Sequence, residues 1–247
     1  MTTEYPWYVY FLIEAILMTI PYYGINLYDY LTRSKPWRYE IQKRKSQGIE
    51  LQEASVFSHT IIHFITRASI WYFHIYGKTM SNMNYISLIS FILKMIVFDG
   101  LGIIFHQYQH SKFGRIFNHL KHHQLRTPTL ASSAYLSMGE LILSSHIGWL
   151  LIGFIPGSFW DHCLFLVISS TIKRLCHSNY DHPWEHTKLY RLFQLVGSRE
   201  HHVHHLHPNK NFADLFIFWD QLFGTFLDPK YVDGIYNHDN IMTGKVE

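Results

Sequence analysis

Cysteine is nearly absent from this chain of 247 residues: there are two, Cys163 and Cys176, and neither belongs to a CxxC pair. A disulfide framework and a cysteine-based zinc knuckle are therefore excluded. Charge is scarce as well. Lys, Arg, Asp and Glu make up 16% of the chain, against about 25% in an ordinary soluble domain. Pro/Gly/Ser-rich linkers, low-complexity runs and tandem repeats are missing, so residues 1–247 read as a single domain. The net charge is only +3, without the concentrated basic patch that nucleic acid requires; it suits a surface facing anionic lipid headgroups. There is no HExxH box, because the HxxxH at His106 carries Gln107 in the glutamate position. A nucleophile–base set and a phosphate-cradling glycine loop are lacking too. The start of the chain has neither a basic segment nor a small-residue cleavage site, so its first apolar stretch reads as an uncleaved membrane anchor.

What the chain has in quantity is apolar and aromatic sequence, 48% and 17% of all residues. Tyr8 to Tyr28 is long enough to cross a hydrocarbon core, which takes about 20 residues. Pro21 predicts a kink within it, and Glu14 sits near an interface or turns inward. Residues 31–55 are basic and therefore cytosolic, which places the N-terminus across the membrane. Ser58 to Tyr76 has the length of a span but carries His59, His63, Arg67 and His74. It crosses the membrane or tilts against the bundle. Tyr85 to Phe105 is a span interrupted by Lys94 and Asp99, groups that must face protein, water or metal at that depth. Ala131 to Phe154 and Phe159 to Leu175, joined at Pro156-Gly157-Ser158, predict an antiparallel hairpin that returns to the side it left. Basic residues at 112–126 and 173–174 mark that side as cytosolic. The expected architecture is all-α: an integral membrane bundle of about four spans under a cytosolic, histidine-rich cap.

Histidine is the other excess, with 19 in the chain. His201, His204 and His205 are spaced i, i+3, i+4, which puts them on one helical face. Ser198 is the expected N-cap and Pro208 the stop. His119, His122 and His123 repeat the spacing, on a helix that Ser111 would cap and Thr127-Pro128 would end. His106 and His110 form an i, i+4 pair, and His177 stands alone. Gathered imidazoles of this kind point to metal. Nine exceed the needs of one ion and suit two, with four or five nitrogens each. Imidazole serves iron, zinc, copper and nickel alike, so the ligands do not choose the metal. Asp99, two turns before His106, could orient a histidine from behind. His182 could substitute as a ligand. His59, His63, His74, His146 and His162 read as packing contacts, and His186, His207 and His238 as surface groups or supports. The amphipathic LFIFWDQLF segment, stopped at Gly224, should buttress the last histidine box.

The ordered set HxxxH, HxxHH, an isolated His, then HxxHH followed by Asn211-Phe212 and Trp219–Thr225 resembles the fatty acid hydroxylase/sterol desaturase superfamily of membrane di-iron oxygenases over about residues 95–228. HSNYDHPW from His177 and GSREHHVHH from Gly197 are most similar to the C-4 methylsterol oxidases. Gly102, Gln107, Ser137-Met138 and His202 depart from that family's usual residues. The resemblance implies that His106, His110, His119, His122, His123, His177, His201, His204 and His205 hold two iron ions, with His202 and Asn211 beside Asp99 and His182 as supporting residues. It also implies O2-dependent oxidation of a sterol or related membrane lipid, first of all at a 4-methyl group. Electrons would come from a cytochrome b5-type donor, in the endoplasmic reticulum. A fatty acid or other lipid hydroxylase or desaturase is the alternative within the superfamily. A membrane metal transporter or metal-binding protein is the alternative outside it, but transport calls for polar groups at mid-span, whereas these clusters sit just beyond span ends.

Overall fold

The structure, a computed structural model, describes residues 5–35, 86–137, 139–140 and 151–232. The expected span at 58–76, much of the 131–154 segment, the loop after residue 35, and His59, His63, His74, His146 and His238 lie outside the described residues. Among the described residues there is no strand; a single antiparallel bridge joins Leu195 to Phe216. Helices α1 (Trp7–Leu17) and α2 (Ile25–Thr32) are joined by a π-helical turn over Ile20–Gly24. Pro21 sits inside that turn. Its missing N–H cannot continue an α-helical ladder, and the widened turn absorbs the kink expected there. Helix α3 spans Leu88–His110 and α4 spans Phe159–Cys176. Three short helices follow: α5 (Lys188–Leu192), α6 (Ser198–Leu206) and α7 (Ile217–Phe223). Trp7–Thr32 and Leu88–His110 are each long and apolar enough to cross a membrane.

α1–α2, α3 and α4 run in the same direction, and their side chains say so at both ends. At the starting end, Tyr10 and Phe11 pack on Phe159 and Cys163. Ser90 Oγ donates to the Pro156 carbonyl at 2.8 Å, and the Ser87 N–H donates to Asp161 at 2.7 Å. Buried Lys94 lies 3.6 Å from Asp161. Asp161 also closes a capping box with Ser158 at the head of α4. Glu14 is turned inward, 3.5 Å from His162 Nε2. At the finishing end, Arg174 donates to Asn26 and lies over the Tyr22 ring, while Ile103 and Cys176 share one cluster with Val196, Phe212 and Ala213. The bundle thus delivers the C-terminal ends of three helices to one place.

The segment after α3 differs from expectation. Ser111 does not cap a helix bearing the histidines: it closes α3, its N–H and Oγ both donating to the Tyr108 carbonyl, and its Oγ accepts the Gly114 N–H of the short 3₁₀ turn that follows. His119, His122 and His123 are carried on 3₁₀ turns instead of an α-helix. The break is at Asn118, whose left-handed φ of 51° prevents one continuous helix. Ser198 is likewise the first residue of α6, not its cap. Gly197 takes the cap position, and its N–H donates to the Glu200 carboxylate at 3.0 Å.

Asp99 has a different task from the one its spacing suggested. It does not orient a histidine; its oxygens accept the N–H groups of Asp214, Leu215 and Phe216 at 2.8–3.0 Å. It therefore pins the 214–216 loop to α3, and leaving such buried donors unpaired costs roughly 1–3 kcal/mol per group. One residue on, Gly100 admits the Trp219 indole of α7, which a Cβ would meet at 2.7 Å. A Cβ on Gly102 would meet nothing within 4 Å. Gly100→Val should accordingly lower stability by about 1–3 kcal/mol. Gly102→Ala should leave it unchanged or raise it by up to about 1 kcal/mol, through helix propensity alone. Thermal unfolding of the detergent-solubilised protein checks both; equal losses at the two positions would contradict the packing described.

Candidate metal centre

The nine histidines singled out by spacing meet at the finishing end of the bundle, in two groups. His106, His110, His119, His123 and His204 offer ligand atoms that all lie within 4.8 Å of one another, and so do those of His122, His177, His201 and His205. Each group cuts across the sequence boxes. On α6, His201 and His205 belong to the second group while His204, between them, belongs to the first. The 3₁₀ segment likewise sends His119 and His123 one way and His122 the other.

Five of the nine rings are oriented from behind. His106 Nδ1 donates to the Phe212 carbonyl (2.7 Å), His177 Nδ1 to Lys173 (2.8 Å), His204 Nδ1 to Lys210 (2.7 Å) and His205 Nδ1 to Leu125 (2.8 Å). His119 Nδ1 meets the Glu140 carboxylate at 2.5 Å. Since a neutral imidazole carries one N–H, a proton spent at Nδ1 leaves a lone pair at Nε2. In His106 and His119, whose Nδ1 atoms are both engaged, those lone pairs face each other with Nε2 atoms 2.9 Å apart; the Nε2 of His177 is gathered with those of His122 and His201, 3.1 Å from each. Two lone pairs at that distance repel, and a cation between them turns repulsion into ligation. Nε2 of His110 and of His204 are buried without a hydrogen-bond partner. These orphaned acceptors fit a metal, and no protein donor competes for them.

Electrostatics points the same way. Burial, reinforced by neighbouring imidazoles, holds His177, His201, His204 and His205 well below the ordinary imidazole range. Burial likewise brings His119 and His122 down to about 4 and lowers His123. At neutral pH these rings are uncharged, the form that binds metal.

The supporting residues divide. His202 points away from its box-mates, its Nδ1 donating to the Ser198 carbonyl at 2.8 Å. His182 stacks on Trp184 and meets the Tyr28 hydroxyl at 3.1 Å, so it belongs to the contact with α2 and to neither histidine group. Asn211 touches no imidazole. It donates to the carbonyls of Glu200 and Leu227 and accepts the Leu227 N–H. Its φ of 51° lets the carbonyls on either side, Lys210 and Phe212, both reach histidines. Asp220 fixes the same turn by accepting the N–H groups of Phe212 and Ala213, which is how the α7 segment supports the last box. Glu140 went unnoticed in the sequence. Its signal was available, since a lone carboxylate in the apolar run after Tyr135 calls for a partner. The carbonyl acceptors had no such signal, because any residue supplies one.

The family model described as fatty acid hydroxylase matches residues 91–225, more than half of the chain and all nine histidines. The chain belongs to that family. Among its relatives are cholesterol 25-hydroxylase-like protein 1, member 2, of Danio rerio, 29% identical over 56% of this chain and 50% of the relative, and methylsterol monooxygenase 1-3 of Arabidopsis thaliana, 26% identical over the same shares. Methylsterol monooxygenase 1 of Rattus norvegicus is 26% identical over 83% of this chain and 73% of its own length. The chain spans about half the length of the first two. No solved structure matches the chain at a significant level.

Metal content of the purified protein tests the arrangement. His204→Ala should cost at least the ion of the five-histidine group, whereas exposed His207 should tolerate alanine without loss. Glu140→Gln, which weakens the hold on His119, should reduce affinity by roughly 10–100-fold. Full metal loading in His204→Ala would remove the five-histidine group from consideration.

Proposed function

We propose that this chain is an oxygen-dependent membrane lipid oxidoreductase whose two histidine groups each hold an iron ion, and that its substrate is a sterol or a closely related lipid. The observation that carries this reading is the gathering of nine histidines into two compact ligand groups, which suits two cations, in a chain belonging to the fatty acid hydroxylase family. His106, His110, His119, His123 and His204 are the ligands of one ion; His122, His177, His201 and His205 are those of the other. Oxidising an unactivated C–H bond is beyond side-chain acids and bases; a pair of iron ions held by these histidines would supply the O2-dependent oxidation, with electrons from a cytochrome b5-type donor. The protein's own part is positional. The carbonyls of Leu125, Lys173, Lys210 and Phe212 fix ring orientation and tautomer, and Glu140 does so for His119. The buried surroundings of α6 keep water off the ligands.

The placement we propose is a multi-pass bundle of about four spans in the endoplasmic reticulum, with the histidine groups at its cytosolic end, as one domain. The common direction of α1–α2, α3 and α4 supports it, because three helices that end together put their basic neighbours on one side. A glycosylation-acceptor tag inserted beside exposed Lys188 should stay unmodified; its modification would reverse the orientation.

For the substrate, relatives named methylsterol monooxygenases favour a 4-methyl group, the position we rank first. Relatives named cholesterol 25-hydroxylases, at similar identity, support a second reading in which a sterol side chain is hydroxylated. Expression in cells lacking their own 4-methylsterol oxidase separates the two. Loss of accumulated 4-methylsterols, abolished by His205→Ala, supports the first. A new side-chain hydroxyl with 4-methylsterols untouched supports the second. No change in any lipid under aerobic conditions with a competent electron donor would overturn the oxygenase reading itself.

A further inference from the structure

The outer surface of α3 carries an exposed apolar stripe through Leu88, Ile89, Ile92, Leu93, Ile96, Val97, Leu101 and Ile104. If α3 crosses the bilayer, this stripe is its lipid-facing side, and it continues almost to His106. Gly100 lies within the same stretch, about 9 Å below His106 at 1.5 Å per residue. On the helix surface its neighbours at i±4 and i−3 are Ile96, Ile104 and Val97, all exposed. It is here that α7 docks, with Trp219 against Gly100. Leu222 and Phe223 follow Trp219 by three and four residues, so they extend from the same face of α7 beside the stripe. Leu222 is 69% exposed and Phe223 44%.

A second apolar edge adjoins the first. The bridge between Leu195 and Phe216, with the Val196 N–H donating to Leu215 and the Ile217 N–H donating to Gln194, lays the chain after α5 along the start of α7. α5 and the residue that follows it expose Leu189, Leu192 and Phe193, interleaved with Lys188 and Arg191. Apolar residues flanked by cations are the pattern of a segment lying in a membrane interface, where the cations meet anionic headgroups.

From this continuity we infer that the C-terminal cap is itself inserted in the bilayer: Leu189, Leu192, Phe193, Leu222 and Phe223 form a lipid-embedded collar at the depth of Gly100. The inference rests on the reading of α3 as a membrane span. The occupant of this surface is lipid, and not a second protein, because the patch continues a stripe that already faces hydrocarbon. Functionally, the collar holds the histidine groups at the level of the interface, where an apolar substrate reaches them from the side without entering water.

Single cysteines at Leu222, Leu192, Leu93 and Lys230, spin-labelled in protein reconstituted into phosphatidylcholine/phosphatidylserine vesicles, test this. The native Cys163 and Cys176 are buried, and the unsubstituted protein serves as the labelling control. The readout is accessibility to O2, which concentrates in hydrocarbon, relative to a water-soluble nickel chelate. Labels at Leu222 and Leu192 should give ratios several-fold above that at exposed Lys230 and close to that at Leu93. If Leu222 and Leu192 resemble Lys230 while Leu93 remains lipid-like, the collar is wrong and the span stands. If Leu93 also reads as aqueous, the span reading falls and takes the collar with it.

Discussion

Everything at the functional end of this molecule depends on forcing uncharged imidazoles to present lone pairs to one another. The arrangement is unfavourable in itself, so the surrounding chain has to impose it. It does so mainly through backbone carbonyls, which take the Nδ1 protons of His106, His177, His204 and His205 and leave no freedom of tautomer. Because carbonyls from residue 125, residue 173 and the 210–212 turn are involved, three separate stretches of chain must be in register before the site exists. Burial supplies the other half of the constraint, since rings this far from water stay neutral where exposed ones would titrate.

That requirement explains the polar residues elsewhere. Asp99 and Asp220 are buried carboxylates whose oxygens are spent on the N–H groups of residues 212–216. They fix the turn that offers its carbonyls to His106 and His204, so they serve the site without touching it. At the opposite end, Lys94, Asp161 and Ser158 tie the starts of α3 and α4 together. A buried ion pair of that kind contributes little net stability. What it contributes is relative register of two helices, which at their far ends bring His106, His110 and His177 to the two groups.

The apolar surface completes the picture. α3 keeps an exposed hydrophobic stripe along nearly its whole length, and α7 leans on it through a glycine. A cap packed in this way against the side of a long apolar helix does not stand clear of it. Under the proposed function, a lipid substrate would have a short lateral route to the histidines, with partition into the bilayer contributing to its binding.

Local chemistry was legible in the sequence wherever it depended on neighbours along the chain. Pro21 announces the π-helical break, because a missing N–H disrupts a ladder wherever it sits. Pro156-Gly157-Ser158 announces the turn ahead of α4, and Gly224 the end of α7. The histidine spacings singled out the side chains that gather, because evenly spaced imidazoles are too polar for an apolar bundle without a shared purpose. The same spacings misjudged the carrier of His119, His122 and His123, since a left-handed Asn118 leaves no mark on periodicity. The division into five and four, with His204 parted from His201 and His205, was decided by tertiary structure alone. Ring direction is set by which carbonyl receives Nδ1–H, and those carbonyls come from residues up to 106 positions away. Side-chain identity can be written in a local pattern; the partner behind each ring exists only once distant backbone has been brought beside it.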